Sequence, residues 1–248
     1  MDDEASYRAA SEQYSLLFEH LGLELLQAAT NAFQFSEFRV DWPMFFGAPT
    51  IGAALLLAPW LKRFYVPSGT QSYRSLFPIG SSPVIDHLLS TENLEIVHQG
   101  AYINRNDKIT TLTNWPVTYH KLRVCSDKIH MRGLDNCCAC HKCHRTMVML
   151  ELLDATANYK NFAKKTGPGD YLHWGLLTNL RIKYAVELRY RAFKAGRLGM
   201  TFWIQVAIVL RVVKSTIVEL IKKILTREQL YKLKRIVYRP ESNHKGVE

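Results

Sequence analysis

The apolar and polar positions along the chain predict a mixed α/β protein with a parallel sheet in its first half. Apolar side chains recur at helical spacing over residues 4–21, and a short apolar run at 23–29 predicts a buried strand. Small and aliphatic residues at 47–60 predict a buried helix, and residues 63–67 predict another strand. Because strand, helix and strand follow one another, the pattern favours a parallel sheet.

The pattern then continues in short elements before it becomes helical throughout. Ser82 followed by Pro83 predicts the start of a helix that runs to about residue 89. The remaining predicted elements are strands at 94–97 and 122–124, and helices at 104–112, 142–153, 180–194, 201–225 and 227–237. We therefore divide the chain into an α/β domain at 1–153 and an α-helical extension at 154–248.

Charge is distributed unevenly between these two parts. The net charge is +10, but residues 153–248 hold 19 of the 32 basic and only 7 of the 22 acidic side chains. A basic extension invites an acidic partner or nucleic acid. Few aromatic residues lie among these basic ones and no DNA-binding motif is recognisable, so nucleic acid is not the favoured partner.

Residues 201–225 predict an amphipathic helix. Its polar side carries Arg211, Ser215, Glu219, Lys222 and Lys223. Thirteen residues separate Arg197 from Arg211, which is too few to span a bilayer. A core or partner-facing helix is favoured over a membrane-surface helix and a nucleic-acid contact. One hypothesis is therefore a noncatalytic scaffold module that docks through basic helices on an acidic partner, RNA or a membrane surface.

The opening residues and the cysteines bear on the compartment. The stretch MDDEASYRAASEQ is polar and acidic, unlike a signal peptide. Four of the five cysteines fall within seven residues, which suits a reducing compartment and a metal better than a disulfide framework. We expect a cytoplasmic protein without a transmembrane segment.

Four cysteines have the spacing of a zinc site: Cys125, Cys137, Cys140 and Cys143. Two overlapping C-x-x-C steps turn the backbone tightly and point thiolates at one centre, while Cys125 closes the tetrahedron from a neighbouring element. Soft thiolates match zinc, and a closed shell of four leaves no position for water. The spacing therefore predicts one structural zinc ion.

Other interpretations of the cysteines remain open. An iron–sulfur or redox site is one alternative, and unliganded thiols are another. Cys138, His141 and His144 are rival ligands. We favour them less, because Cys138 breaks the x-x spacing and histidines beside a basic helix start are more often surface residues.

Several motifs in the middle of the chain are shared with a known family. They are GSSPVIDHLLSTE at 80–92, R-x-x-K at Arg105 and Lys108, LRVC at 122–125 and NCCACHKCHRTM at 136–147. With them, residues 80–150 resemble the C-terminal half of PP-loop ATP pyrophosphatases of the adenine-nucleotide α-hydrolase (HUP) type, particularly 7-cyano-7-deazaguanine synthase. A weaker similarity through ATN at 29–31, Trp42 and YVPS at 65–68 extends the resemblance to residues 20–153.

The resemblance implies an incomplete Rossmann-like parallel sheet with zinc on the four cysteines. Cys138 stands where relatives usually have glycine. Family members use ATP to adenylate a carboxylate or carbonyl oxygen, after which a nitrogen nucleophile displaces AMP. They hold the pyrophosphate in an SGGxDS loop, and this sequence contains no such loop.

The missing loop implies a chain that begins inside the family domain and is inactive alone. Either the gene is truncated, or its start is misplaced, or another polypeptide supplies the missing half. ATP and Mg²⁺ are then expected only if another polypeptide supplies the missing half. A sheet without its first strand has unpaired backbone groups along one edge, so we expect either marginal stability of the chain alone or a covering partner.

The resemblance also implies roles for three basic residues. Arg105 and Lys108 lie where the family places cations near nucleotide or substrate, and such cations stabilise a transferring phosphoryl group. The alternative is ordinary solvated charge in a first helical turn. Arg145 either reaches the same cleft or pairs with a carboxylate.

Four small polar residues complete the candidate site. Ser81 and Ser82 predict either an anion site at the positive end of a helix or an ordinary N-cap. Thr30 and Asn31 follow the predicted strand at 23–29. Ligands of open α/β sheets bind at the carboxyl ends of the strands, so these two residues are candidates for a binding site. The alternative is that they only form a turn. No residue is assigned a catalytic role, because Asp86, His87 and Glu92 have no spacing that demands acid–base chemistry.

Overall fold

The computed structural model describes residues 4–32, 40–69, 71–125, 136–162, 165–178, 180–224 and 229. Its helices and strands are α1 (Glu4–His20), α2 (Trp42–Phe45), α3 (Gly47–Leu56), β1 (Arg63–Pro67), β2 (Glu95–Gln99), α4 (Arg105–Thr113), α5 (His141–Leu152), α6 (Pro168–Leu177), α7 (Ile182–Lys194) and α8 (Leu198–Ile224). Single 3₁₀ turns lie at Asp86–Leu89, Pro116–Thr118 and Thr156–Asn158.

The chain divides into two compact units. The first comprises Met1–Cys137 with Leu153–Phe162, and the second comprises Cys138–Leu152 with Ala163–Glu248. In this division α5 groups with the C-terminal helices, whereas the sequence pattern divides the chain after residue 153.

The first unit contains a parallel sheet of two strands. β1 and β2 pair in parallel, with Arg63 opposite Glu95 and Val66 opposite His98. The mixed α/β class and the strands predicted at 63–67 and 94–97 are therefore confirmed.

One face of this sheet forms the core of the first unit. Val66 and Ile96 pack with Leu94 and with Ile51 and Ala54 of α3. Successive strand residues point to opposite faces, so the residues next to Val66 and Ile96 in the two strands lie on the other side of the sheet.

The second face of the sheet is accessible to solvent. Tyr65 is half exposed, and Arg63 forms an exposed 2.5 Å ion pair with Glu95 of the neighbouring strand. The described residues thus cover one sheet face with α3 and leave the other largely open.

The start of α3 lies against the turn at Gly80. A Cβ atom on Gly47 would lie 1.6 Å from the Gly80 carbonyl oxygen, and one on Gly80 would lie 2.6 Å from the Met44 carbonyl oxygen. No other residue fits at either position without moving the backbone.

A buried carboxylate fixes the segment that follows Gly80. Asp86 is fully buried. Its Oδ2 accepts a hydrogen bond from Ser81 Oγ at 2.7 Å and lies 2.7 Å from His98 Nδ1, while Oδ1 accepts from the Ser82 N–H at 2.9 Å. Since His98 belongs to β2, Asp86 joins the turn to the sheet.

The second unit is helical, and a close approach of two helices organises it. A Cβ atom on Gly175 of α6 would lie 2.6 Å from the Ala207 carbonyl oxygen of α8. Leu188 of α7 and Ile204 of α8 are fully buried beside this crossing. Pro168 opens α6, and the Asp170 carboxylate accepts a hydrogen bond from the Gly167 N–H at 2.9 Å.

Two predicted strands are wrong. Residues 23–29 have no regular structure and most of their side chains are exposed, because an apolar run of this length forms a strand only where another strand pairs with it. Residues 122–124 are also irregular, since the Val124 N–H and the Leu122 carbonyl oxygen bond to the Asn136 side chain instead of to a strand.

Most of the helix predictions are confirmed, although several helices begin or end at residues other than those predicted. The segment predicted as a helix at 83–89 is a turn followed by the 3₁₀ turn Asp86–Leu89. The helix predicted at 47–60 ends at Leu56, and the one predicted at 201–225 begins at Leu198. The helix predicted at 227–237 lies outside the described residues apart from Gln229.

Among the described helices, none combines the length and apolarity that crossing a bilayer requires.

Replacing Asp86 with alanine should lower the free energy of unfolding by about 3 kcal/mol, because three buried donors lose their acceptor. Urea denaturation followed by circular dichroism measures the change. Asp41→Ala is the matched control: Asp41 is exposed and makes no capping hydrogen bond, so its loss should cost less than about 0.5 kcal/mol. Equal midpoints for the two variants would show that Asp86 does not fix the turn.

Candidate metal centre

Four cysteine sulfur atoms converge on one point. The Sγ atoms of Cys125, Cys137, Cys140 and Cys143 all lie within 4.8 Å of one another. Cys125 and Cys143 are buried, and Cys137 and Cys140 are half-buried. In the parts of the chain that the structure describes, no other three His, Cys, Asp or Glu side chains form such a group.

The sulfur positions fit a tetrahedral zinc ion. Zinc–sulfur bonds of about 2.3 Å place the sulfur atoms of a tetrahedron about 3.8 Å apart. The Sγ atoms of Cys140 and Cys143 are 3.6 Å apart, well beyond the roughly 2.05 Å of a disulfide. None of the five cysteines forms a disulfide. The donor set therefore suits a soft tetrahedral cation such as zinc.

The side chain of Asn136 holds Cys125 beside the rest of the cluster. Its Oδ1 accepts hydrogen bonds from the backbone N–H groups of Val124 at 2.9 Å and Cys125 at 3.2 Å. Its Nδ2 donates to the Leu122 carbonyl oxygen at 2.9 Å. Because Asn136 immediately precedes Cys137, these bonds fix two ligand-bearing segments against each other.

The start of α5 positions the other end of the cluster. Cys140 immediately precedes the helix and Cys143 lies in its first turn. The backbone N–H groups and the positive end of a helix favour thiolate over thiol at such positions.

His144 anchors this first turn of α5. Its Nδ1 lies 3.2 Å from the Cys140 carbonyl oxygen, and its buried ring stacks on His173 at 5.7 Å and on Trp174 at 6.1 Å, measured between centroids. Both stacking partners belong to α6, so the helix that carries Cys143 is held by aromatic packing.

The rival ligands lie outside the sulfur group. Cys138, His141 and His144 are not among the four residues whose ligand atoms converge. Cys138 has φ of +54°, a left-handed conformation that glycine adopts without strain. This backbone explains why glycine is the residue expected at this position between two ligands.

Of the predicted nucleotide-site residues, Lys108 lies at the carboxyl edge of the sheet. Lys108 Nζ donates to the carbonyl oxygen of Ser68, the residue that follows β1, at 2.7 Å. A Cβ atom on Gly100, which follows β2, would lie 3.4 Å from the same Nζ. Burial, and secondarily the neighbouring Arg105 charge, lowers the pKa of Lys108.

The other predicted site residues have different surroundings. The Ser81 hydroxyl and the Ser82 N–H both donate to Asp86, so an anion at this turn would compete with a buried carboxylate. Thr30 and Asn31 lie in an exposed irregular segment, where Thr30 Oγ1 accepts from the Ala32 N–H at 3.0 Å. They do not follow a strand.

Arg145 is buried, with its guanidinium 4.7 Å from the centre of the Tyr184 ring.

The sequence pattern did not single out two residues that organise these sites. Asn136 appeared only as the first letter of a motif, and Asp86 received no role. Asparagine just before a cysteine ligand is a weak signal by itself, because its partners lie eleven to fourteen residues earlier. For Asp86, the signal in the sequence was its position four residues after Ser82, the serine that precedes Pro83.

Comparisons with models of protein families, with curated proteins and with solved structures find no match to this chain.

Asn136→Ala should weaken zinc binding by about 10- to 100-fold, because Cys125 loses the support that orients it. Competition with a chromophoric zinc chelator measures the affinity. Asn136→Asp keeps the acceptor oxygen, so it should lose less zinc affinity than Asn136→Ala. Asn93→Ala, in an exposed loop, should bind zinc like the parent chain, and an Asn136→Ala variant that does the same would contradict the orienting role.

Proposed function

We propose that the chain is a zinc-stabilised α/β domain related to the ATP-dependent adenylating enzymes of the PP-loop type. Zinc is structural, and ATP with Mg²⁺ binds only when another segment supplies a phosphate loop. The observation that carries this proposal is the convergence of the four cysteine sulfurs, which are the same four that the family resemblance names.

The chemistry of the donor set supports a structural role for the ion. Four thiolates complete a tetrahedron, which leaves no open position for water or substrate. Four thiolates carry more negative charge than zinc offsets, and the N-terminus of α5 adds positive charge where Cys140 and Cys143 lie. When bound, zinc supplies a crosslink between residue 125 and the start of α5.

The carboxyl edge of the sheet supports the nucleotide part of the proposal. Ligands of open parallel sheets bind beyond the carboxyl ends of the strands. Lys108 reaches the residue after β1, and Arg105 is close enough to lower its pKa. Lys108, with Arg105 one helical turn before it in α4, suits a polyphosphate. The open sheet face around Tyr65 offers room for the remainder of such a domain.

Purified under reducing conditions, the chain should contain about one zinc ion, measured by mass spectrometry of the metal. Cys140→Ser should lose the ion and much of the stability, because a buried thiolate group loses its cation. Cys138→Gly is the matched control: it should keep the zinc and gain about 1 kcal/mol, since it relieves the positive φ. Stoichiometric iron, or a folded metal-free protein, would contradict the zinc assignment.

ATP–pyrophosphate exchange tests the nucleotide part separately. The chain alone should show no exchange, and mixing it with an SGGxDS-bearing half from a PP-loop enzyme should restore it. Lys108→Ala should then reduce exchange by about 100-fold or more, as loss of a transition-state contact does. The exposed Lys62→Ala variant should be unaffected. Equal exchange in both variants would remove Lys108 from the site.

A further inference from the structure

The turn between α7 and α8 exposes large apolar side chains. α7 ends at Lys194 and α8 begins at Leu198, and Gly196 makes the turn with φ of +69°. Phe193, Leu198 and Phe202 flank this turn and are 60 to 66% exposed. Three large apolar residues within ten positions of one exposed turn form a surface that the proposed zinc and nucleotide sites do not use.

The apolar surface continues along α8. Its exposed members are 48 to 78% accessible and comprise Val209, Val213, Ile217, Leu220 and Ile224. Spacings of three and four residues place these side chains on one side of the helix. Ile204 and Ala207 on the other side are fully buried. α8 therefore has two apolar faces, of which one packs within the second unit and the other meets solvent.

The charge around the α7–α8 turn has one sign. Between Glu187 and Glu219 the sequence contains no acidic residue and six basic ones: Arg189, Arg191, Lys194, Arg197, Arg211 and Lys214. At the turn, Lys194 and Arg197 are exposed among the apolar side chains, and Lys194 Nζ lies 5.7 Å from the Tyr190 ring centre. A partner must therefore offer negative charge and an apolar phase at the same place.

An anionic bilayer surface meets both requirements. Acyl chains accept apolar side chains a few ångströms below the plane in which acidic headgroups attract lysine and arginine. A fluid interface also accommodates a convex helical turn, whereas a protein partner needs a groove of matching shape. From Val209 to Ile224 the exposed apolar residues of α8 are aliphatic, so an RNA could stack only on the rings near the turn, whereas a bilayer accepts the whole apolar surface.

We infer that the α7–α8 hairpin docks on membranes that contain anionic phospholipids, with Phe193, Leu198 and Phe202 entering the headgroup region and the neighbouring basic residues contacting lipid phosphates. The contact is peripheral. It is independent of the zinc and nucleotide sites, so either proposal can fail without the other.

Vesicle flotation with the full zinc-loaded chain tests this inference. The chain should float with vesicles of phosphatidylcholine and phosphatidylserine in about equal parts, and should remain at the bottom with phosphatidylcholine alone. Binding should weaken steeply between low and physiological salt, because the charged groups are exposed to solvent.

Two variants separate the apolar and the electrostatic contributions. Phe193→Ser with Phe202→Ser should weaken partitioning by about tenfold or more, because two exposed rings no longer enter the interface. Lys194→Gln with Arg197→Gln should weaken it by about fivefold for each charge removed. The matched controls are Leu56→Ser and Arg74→Gln, both at exposed positions in the first unit, and both should partition like the parent chain.

Several outcomes would overturn the inference. One is failure of the parent chain to float with anionic vesicles at low salt, and another is equal flotation with neutral vesicles. A third is equal loss of binding in the hairpin variants and the controls. Binding to polyglutamate without binding to vesicles would assign the surface to an acidic protein instead. Circular dichroism melting curves that match the parent chain ensure that lost binding does not reflect unfolding.

Discussion

Four thiol groups lie closer together than their charged forms tolerate without a cation between them. Sulfur atoms within 4.8 Å of one another repel strongly as thiolates, and as neutral thiols they form only weak hydrogen bonds. The local structure is arranged for this convergence. Asn136 holds the backbone that carries Cys125, aromatic stacking on His144 fixes the turn that carries Cys143, and Cys138 adopts a strained φ between two ligands. These features have a common cause if a metal ion is the group that they position.

The cysteine group was predictable from sequence because its chemistry is local. The last three ligands are separated by two residues each, so backbone geometry alone brings their side chains together. Cys125, twelve residues before Cys137, was assigned to the same site as the ligand that closes the tetrahedron from a neighbouring element, and the family resemblance names the same residue. The structure confirms that the four residues converge, while the identity of the ion rests on the chemistry of the donors.

The predictions that failed depended on partners distant in the chain. Residues 23–29 are apolar enough to form a strand, but a strand requires another strand for its backbone groups. The segment at 83–89 has a serine and a proline suited to a helix start, yet Asp86 uses its carboxylate to bind Ser81, Ser82 and His98. Neither the orientation of Asp86 nor the side-chain bonds of Asn136 follow from a periodic pattern. Both are set by tertiary packing, which commonly overrides local propensity.

A metal ion held by the four cysteines would account for stability, but it would leave the surfaces of both units unexplained. In the first unit, the sheet face with Tyr65 is accessible to solvent, although sheets of this kind are normally covered on both faces. In the second unit, α8 presents an apolar face, and the residues between Glu187 and Glu219 carry six positive charges and no negative ones. Exposing this much apolar surface works against solubility, so selection for folding alone does not explain it. We therefore expect the function of the chain to reside in what these two surfaces contact, with the metal centre holding the fold that presents them.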